Sequence, residues 1–425
     1  MGRFTGIIGI IIILGLAFLW SNNRKAINYR LVITGLLLQL CLAFFILKVP
    51  AGQQIFAWLG RAINKLLDFS QQGGAFVFGD LTHISKILPP TIVSSGVFLF
   101  ILIPTIIFVC VLVSMAYHVG LMQRIVALLA RFVHWAMRVS GSEALSNVAS
   151  AFVGQVEAQI MIRPYLAGMT RSELLASMTG SMACIAGGVM AVYISMGVPA
   201  SYLLAASLMA APGALVISKI VFPETEESET KGVVKLEVKK AHTNLMDAIS
   251  HGASDGMTIS INVIAMLIGV IALVALVDAL LGYFGHFLSW IGVSLNVLGL
   301  NVDNLRLKDV FGAFFSLFAI VMGVPSSESF SVGSLMGTKM VINEFVAYSD
   351  LSPMIQQGLL SAKSVVIASF ALCGFANFSS IAIQLGGIGA MVPARKGDLA
   401  RLGFKAMICG TMASYISASL AGILL

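Results

Sequence analysis

SVVIASFALCGFANFSSIAIQLGGI, residues 364–388, is long enough to cross a bilayer, yet Gly374, Asn377, Ser379 and Ser380 sit in its middle. A helix of about 20 apolar residues spans a hydrocarbon core of roughly 30 Å. Backbone released from a helix at that depth is tolerated only where protein or a water-filled cavity covers it. Polar side chains there mark a route for a solute or an ion. A second break of the same kind, Gly154-Gln155-Val156-Glu157, lies in the first half of the chain. Together the two breaks predict a carrier that grips a small polar molecule inside a membrane.

The rest of the chain is built for lipid. Of 425 residues, 58% are hydrophobic and only 11% charged, and mean hydropathy is +0.96. A soluble domain carries roughly a quarter charged residues. Apolar runs of spanning length fall at 4–20, 31–49, 91–117, 176–197, 202–222, 257–281, 364–388 and 404–424. The expected fold is therefore an all-α polytopic membrane protein with eight transmembrane helices. The first run follows Arg3 and lacks a small-residue cleavage motif before Ser21, so it reads as a retained span. Arg24, Lys25 and Arg30 assign loop 21–30 to the cytoplasm, which places both termini on the opposite face. The net charge of +7 is spread over such loops, including Arg395, Lys396 and Arg401. That distribution suits lipid headgroups, not nucleic acid. Cys41, Cys110, Cys184, Cys373 and Cys409 form no CxxC and lie in apolar stretches, as buried small hydrophobes do.

Some segments are neither spans nor plain loops. Residues 52–69 put Ile55, Phe56, Leu59, Ile63 and Leu66 at helical spacing, away from Arg61, Lys65 and Asp68. Residues 121–138 do the same with Arg124, Arg131 and Arg138. Both read as helices lying in the interface. The stretch 224–243 runs from Glu224, Glu226, Glu227 and Glu229 to Lys231, Lys235, Lys239 and Lys240, and reads as a solvated link between two halves. His83, His118, His134, His242, His251 and His286 fall outside the interrupted motifs and read as anchors near span ends. The Gly-rich runs at 186–188 and 386–389 have no following Lys-Ser/Thr, so neither is a phosphate loop.

The halves repeat a plan. In the first, an interrupted apolar segment (144–163) carries Gln155 and Glu157 and ends at Arg163-Pro164. A span with Gly180, Ser181, Cys184, Gly187 and Gly188 follows it. In the second, 328–347 carries Lys339, Asn343 and Glu344, and the broken run 364–388 follows. Interrupted segments at corresponding places in two halves point to a transporter site, and they are expected to be re-entrant hairpins. The chain then divides into N-terminal spans (1–120), a first transport half (121–223), a linker with scaffold helices (224–327) and a second transport half (328–425). Gln155 offers donors and an acceptor, while ionised Glu157 and Glu344 accept only. Asn377 and Ser380, three apart, share a face at a helix end. The set suits a ligand with a base at one end and a sugar at the other. Helix-to-helix glue is the alternative for Gln155, Asn377 and Ser380, and an ion pair with Lys339 is the alternative for Glu344.

GQVEA (154–158) with RPY (163–165), GTKMVINEFVAY (337–348) and CGFANFSSIAI (373–383) resemble the signatures of concentrative nucleoside transporters. The similarity runs from about residue 90 to the end of the chain. It implies a homotrimer in the cell inner membrane, each protomer having eight spans, two re-entrant hairpins and interfacial helices, with an elevator-type transport unit of inverted-repeat design. By matched position it implies that Gln155, Val156 and Glu157 meet the nucleobase, that Phe375 lines the base pocket, and that Glu344, Asn377 and Ser380 meet the ribose of a substrate such as uridine. It further implies a sodium site built from positions matching Ser150, Val153, Cys184 and Ile185. Here the chain departs from the family pattern: Ser150 stands where sodium-coupled members carry Asn, and Cys184 where they carry Ser or Thr. Sodium wants oxygen ligands, and a thiol is a poor one. Proton coupling is therefore favoured over sodium, with Glu157 or Glu344 as carrier. Val156 replaces a family Thr, which leaves the preferred base open, and uptake of a modified nucleoside is a further reading. No cofactor is expected. A channel would need a continuous ring of carbonyls or charges. An enzyme using Glu157 and Glu344 as acid and base would need a partner nucleophile or metal, and no motif supplies one.

Overall fold

A computed structural model describes residues 5–82, 98–230, 243–292 and 305–425, which form helices with no strand among them. His83, His242, Lys231, Lys235, Lys239, Lys240 and the start of the 91–117 run lie outside the described residues.

Helices α1 (Thr5–Leu19) and α2 (Tyr29–Leu47) turn Ile11, Leu19, Ile33 and Phe44 outward, as lipid-facing helices do. Helix α3 (Pro50–Phe78) is longer than the amphipathic 52–69 stretch; it points Phe56 and Leu67 inward and Trp58 and Phe69 outward. Helix α4 (Phe98–His118) bends by 75° into α5 (Leu121–Met137). Gly120 makes that corner at φ 79°. Helix α5 buries Val126, Ala130, Val133 and Met137 and exposes Arg124 and Arg131 beside Leu128 and Trp135. An outer face mixing arginine with aromatic and aliphatic side chains is what a bilayer interface favours.

The first half continues with α6 (Gly141–Ser150), a break, α7 (Glu157–Ile160), α8 (Arg171–Ala183), α9 (Gly187–Ser195) and α10 (Ala200–Val221). After the long α11 (Leu245–Trp290) and α12 (Leu307–Met322), the second half repeats the order. It comprises α13 (Ser326–Val341), α14 (Glu344–Gln356), α15 (Ala362–Leu372), α16 (Phe378–Met391) and α17 (Lys396–Leu424). Local signals fix these starts. Ser140 with Glu143 and Thr170 with Glu173 form capping boxes on α6 and α8, the hydroxyls accepting from the Glu amides at 3.4 and 3.1 Å. Each carboxylate accepts in return from its cap residue's amide, so two otherwise orphaned donors are satisfied.

Five described helical segments are long and apolar enough to cross a membrane, and two bent pairs meet the same test as pairs. The described part of the expected first span is 15 residues long, and the 364–388 run is divided between α15 and α16. Helices α10 and α17 are mostly buried, whereas few of residues 271–290 of α11 are buried among the described residues. The breaks between α8 and α9 and between α15 and α16 meet at the core. Gly374, at φ 112°, lies against the carbonyl of Ala183, and a Cβ there would collide with it. Gly410 of α17 nests against both breaks, with room for a Cβ only at 3.2 Å from Met182 and 3.4 Å from Ala376.

The start of the 224–243 stretch is not a plain solvated link. Glu224 accepts from Thr170 Oγ1 at 2.8 Å and pairs with Lys219 at 3.2 Å. Thr230 donates to Glu173 at 3.0 Å and accepts from the Gly141 amide at 3.1 Å. The segment straps the N-termini of α6 and α8 because their buried caps offer acceptors and donors that water does not reach. The Glu-rich composition masks this pairing.

Candidate substrate and ion sites

Four polar side chains join the break between α6 and α7 and the start of α14 to the start of α16. Asn377 is the N-cap of α16; its Oδ1 accepts from the Ser380 amide at 2.9 Å and from Ser379 Oγ at 2.7 Å. Its Nδ2 is thereby aimed away from the helix and donates to Glu344 Oε2 at 2.9 Å. Glu344 opens α14 directly after its own cap, Asn343, and is 5% exposed. The other oxygen, Oε1, accepts from Tyr193 Oη at 3.0 Å. Gln155, in the break between α6 and α7, donates to Ser380 Oγ at 3.3 Å. Its Oε1 is buried without a hydrogen-bond partner among the described residues.

Lys339 does not pair with Glu344. Its Nζ donates to the Ala371 and Cys373 carbonyls at 2.9 and 3.3 Å, because the end of α15 lies nearer than the carboxylate. Glu157 is exposed and begins α7, with its carboxylate folded over Gly154, where a Cβ would strike it. Val156 packs on Gly387 of α16. Phe375 is half-buried in the break between α15 and α16. Thus Gln155, Glu344, Asn377 and Ser380 are linked by hydrogen bonds, while Val156, Glu157 and Phe375 border them along the chain. Sequence reasoning missed Tyr193, which stacks on Tyr348 at 4.4 Å; that ring is fixed in turn by a 2.7 Å bond to the Ser369 carbonyl. A lone tyrosine in the apolar stretch VMAVYIS was its only signal.

The four residues matched to an ion site divide differently. Ser150 Oγ donates to the Ser146 carbonyl at 2.7 Å and lies 3.0 Å from Ser181 Oγ. Ser181 also accepts from Gln159 Nε2 at 2.7 Å. Cys184 directs its thiol to the Ser207 carbonyl at 3.6 Å, toward α10. Val153 and Ile185 are buried in the two break segments. The side-chain oxygens here are thus the paired hydroxyls of Ser150 and Ser181, and the thiol is engaged elsewhere.

Comparison with known proteins agrees with the architecture. The family described as Na+ dependent nucleoside transporter C-terminus matches residues 202–422, its N-terminal counterpart matches 8–81, and a family described as Gate, nucleoside recognition, matches 99–200. An uncharacterized transporter, YutK, of Bacillus subtilis is 39% identical over 424 residues, covering all of both chains. The nucleoside permease NupC of Helicobacter pylori is 35% identical, covering 98% of this chain and 96% of its own. The structure of CNTnw in an inward-facing, substrate-bound state superposes with TM-score 0.89 at 38% identity, covering 100% of this chain and 98% of that one.

Proposed function

Since the chain belongs to the concentrative nucleoside transporter family, a family of multi-pass membrane proteins, we propose that it imports nucleosides across the cell inner membrane, coupled to a cation. The observation that carries this reading is the hydrogen-bonded line from Gln155 through Ser380 and Asn377 to Glu344, which ties both hairpins to one broken span. Glu344 keeps acceptor capacity beyond its two protein donors, which suits two neighbouring ribose hydroxyls. The unpartnered Gln155 Oε1 and the nearby Glu157 suit donors on a base, and Phe375 offers a ring face to stack on it. Transport then consists of closing these bonds over the guest and moving one unit past the other, elevator-like, with the site carried along.

Proton coupling is favoured because the Cys184 thiol is turned to Ser207 and Ser150 is already bonded to Ser146 and Ser181. Glu157 and Glu344 are the candidate proton carriers. Sodium coupling is the second reading, supported by the family's description and by the hydroxyl pair Ser150–Ser181. The eight-span count, with α8–α9 and α15–α16 as broken spans, belongs to the same proposal. So does a homotrimer, supported by the apolar side chains that residues 271–290 of α11 leave exposed among the described residues.

Uptake of labelled uridine into proteoliposomes tests the function. Glu344→Ala and Asn377→Ala are expected to lower it by at least about 100-fold, as loss of a charge-assisted bond plus an orphaned partner predicts, while protein remains in the membrane. Unchanged uptake in both variants would discard the site. Imposing proton and sodium gradients separately tests the coupling: accumulation under sodium alone would reverse the preference for protons.

A further inference from the structure

Lys339 is 1% exposed, and neither of its hydrogen bonds goes to a carboxylate. A buried charge of that kind is costly unless fixed dipoles replace its hydration. Here they do. The last carbonyls of a helix lack intrahelical partners and carry the negative end of its dipole. Helix α15 ends at Leu372, and Nζ is bound to the carbonyls on either side of that end, Ala371 and Cys373. Ser414 Oγ of α17 donates to the same Cys373 carbonyl at 2.8 Å.

The opposite lip of the same break has the opposite polarity. There Asn377 caps α16 and holds Glu344, so a carboxylate faces the positive N-terminal end of a half-helix. The second hairpin thus straddles the break. Its first arm, α13, places an ammonium on the carbonyl lip, and its second arm, α14, places a carboxylate on the amide lip. The first half repeats the order of elements without the ammonium: residues 140–160 contain no Lys or Arg. Near the end of α8 at Ala183, the side-chain groups are neutral: Ser181 lies two residues before that end and its hydroxyl is 3.0 Å from that of Ser150.

We propose that Lys339 is the resident cation of the second half. Its tethered ammonium holds the carbonyl lip at Ala371–Cys373 as a free cation would in an untethered repeat, and so positions Phe375, Asn377 and Glu344 for the nucleoside. Lys339 is a positioning residue and does not touch substrate. The proposal deepens the carrier reading and rests on it.

Equilibrium binding of labelled uridine to purified protein in choline, sodium and methylammonium buffers tests it. Lys339→Arg keeps a cation and is expected to bind within a few-fold of wild type. Lys339→Gln keeps a hydrogen-bond donor without charge and is expected to bind about tenfold weaker, as loss of a charged hydrogen bond predicts. Lys339→Ala is expected to weaken binding in choline at least as much and to recover it in part when methylammonium or sodium is added. A structural role alone would not produce rescue by a soluble cation. Wild-type affinity in the Gln variant, or weakening in the Ala variant that neither cation relieves, overturns the proposal. If the Ala variant does not fold, a Gln variant that elutes normally and binds like wild type is sufficient to overturn it. Absence of uridine binding in wild type would instead strike the carrier reading itself.

Discussion

Glu344 is held from two sides, by Tyr193 Oη and by Asn377 Nδ2, and both donors are themselves fixed: Tyr193 by stacking on Tyr348, Asn377 by capping α16. A carboxylate so oriented presents its remaining lone pairs in a set direction before any guest arrives. Tyr193→Phe removes one donor while preserving the ring stack, and should weaken uridine binding by about tenfold or more, the worth of one hydrogen bond to a charged group. Binding measured by calorimetry or filtration checks this; an unaltered dissociation constant would mean that Tyr193 does not orient Glu344. Gln155→Leu removes both the bond to Ser380 and the orphaned acceptor. Folding stability should therefore change little, while uptake falls at least about tenfold. A large drop in melting temperature with normal uptake would make Gln155 helix glue. Residue chemistry was legible for Gln155, Asn377, Ser380 and Glu344, because polar groups amid apolar runs stand out. Tyr193 and Lys339 were opaque in this sense: the donor from one and the carbonyl partners of the other come from segments far away in sequence.

At the scale of elements, the breaks after Ala183 and Leu372 make the fold what it is, and each was visible as glycines and polar residues inside a spanning run. That they pack against each other was not visible, since it depends on Gly374 adopting φ 112° against the Ala183 carbonyl. Gly374→Ala places a Cβ into that carbonyl and into left-handed backbone, at a cost of order 1–3 kcal/mol or more. Thermal unfolding in detergent should register a fall of several degrees, and an unchanged midpoint would show that the crossing relaxes freely. The strap at 224–230 was hidden by its acidic composition, which resembles a solvated linker. Lys219 lies between Glu143, at 2.5 Å, and Glu224, at 3.2 Å, and is buried. Lys219→Met would leave Glu143 buried without its cation, a loss of about 3–5 kcal/mol. Greatly reduced yield or melting temperature is the expected result; a variant as stable as wild type would show that the strap's hydrogen bonds suffice without the ammonium.

For the whole molecule, a central polar seam lies within a shell whose outward residues are those a lipid solvent accepts. The all-α class and the two-half plan followed from composition and from the repeated order of interrupted segments. The number of crossings is less direct, because a broken span reads as one apolar run in sequence and as two short helices in space. Residues 271–290 of α11 expose Leu273, Leu276, Phe284 and Trp290, with little of the described chain packed on them. If that face joins protomers, Leu276→Arg should shift the detergent-solubilised protein from trimer to monomer by light scattering, and an unmoved mass would place the face against lipid. The account as a whole requires that hairpins from both halves close over one guest. Its most direct test is the saturable binding of uridine to purified wild-type protein beside Gln155→Ala and Glu344→Ala, one variant from each hairpin. One site per chain in wild type, with binding lost in both variants, is the predicted result; full binding in either variant would mean that its hairpin does not hold the nucleoside, and the account would fail.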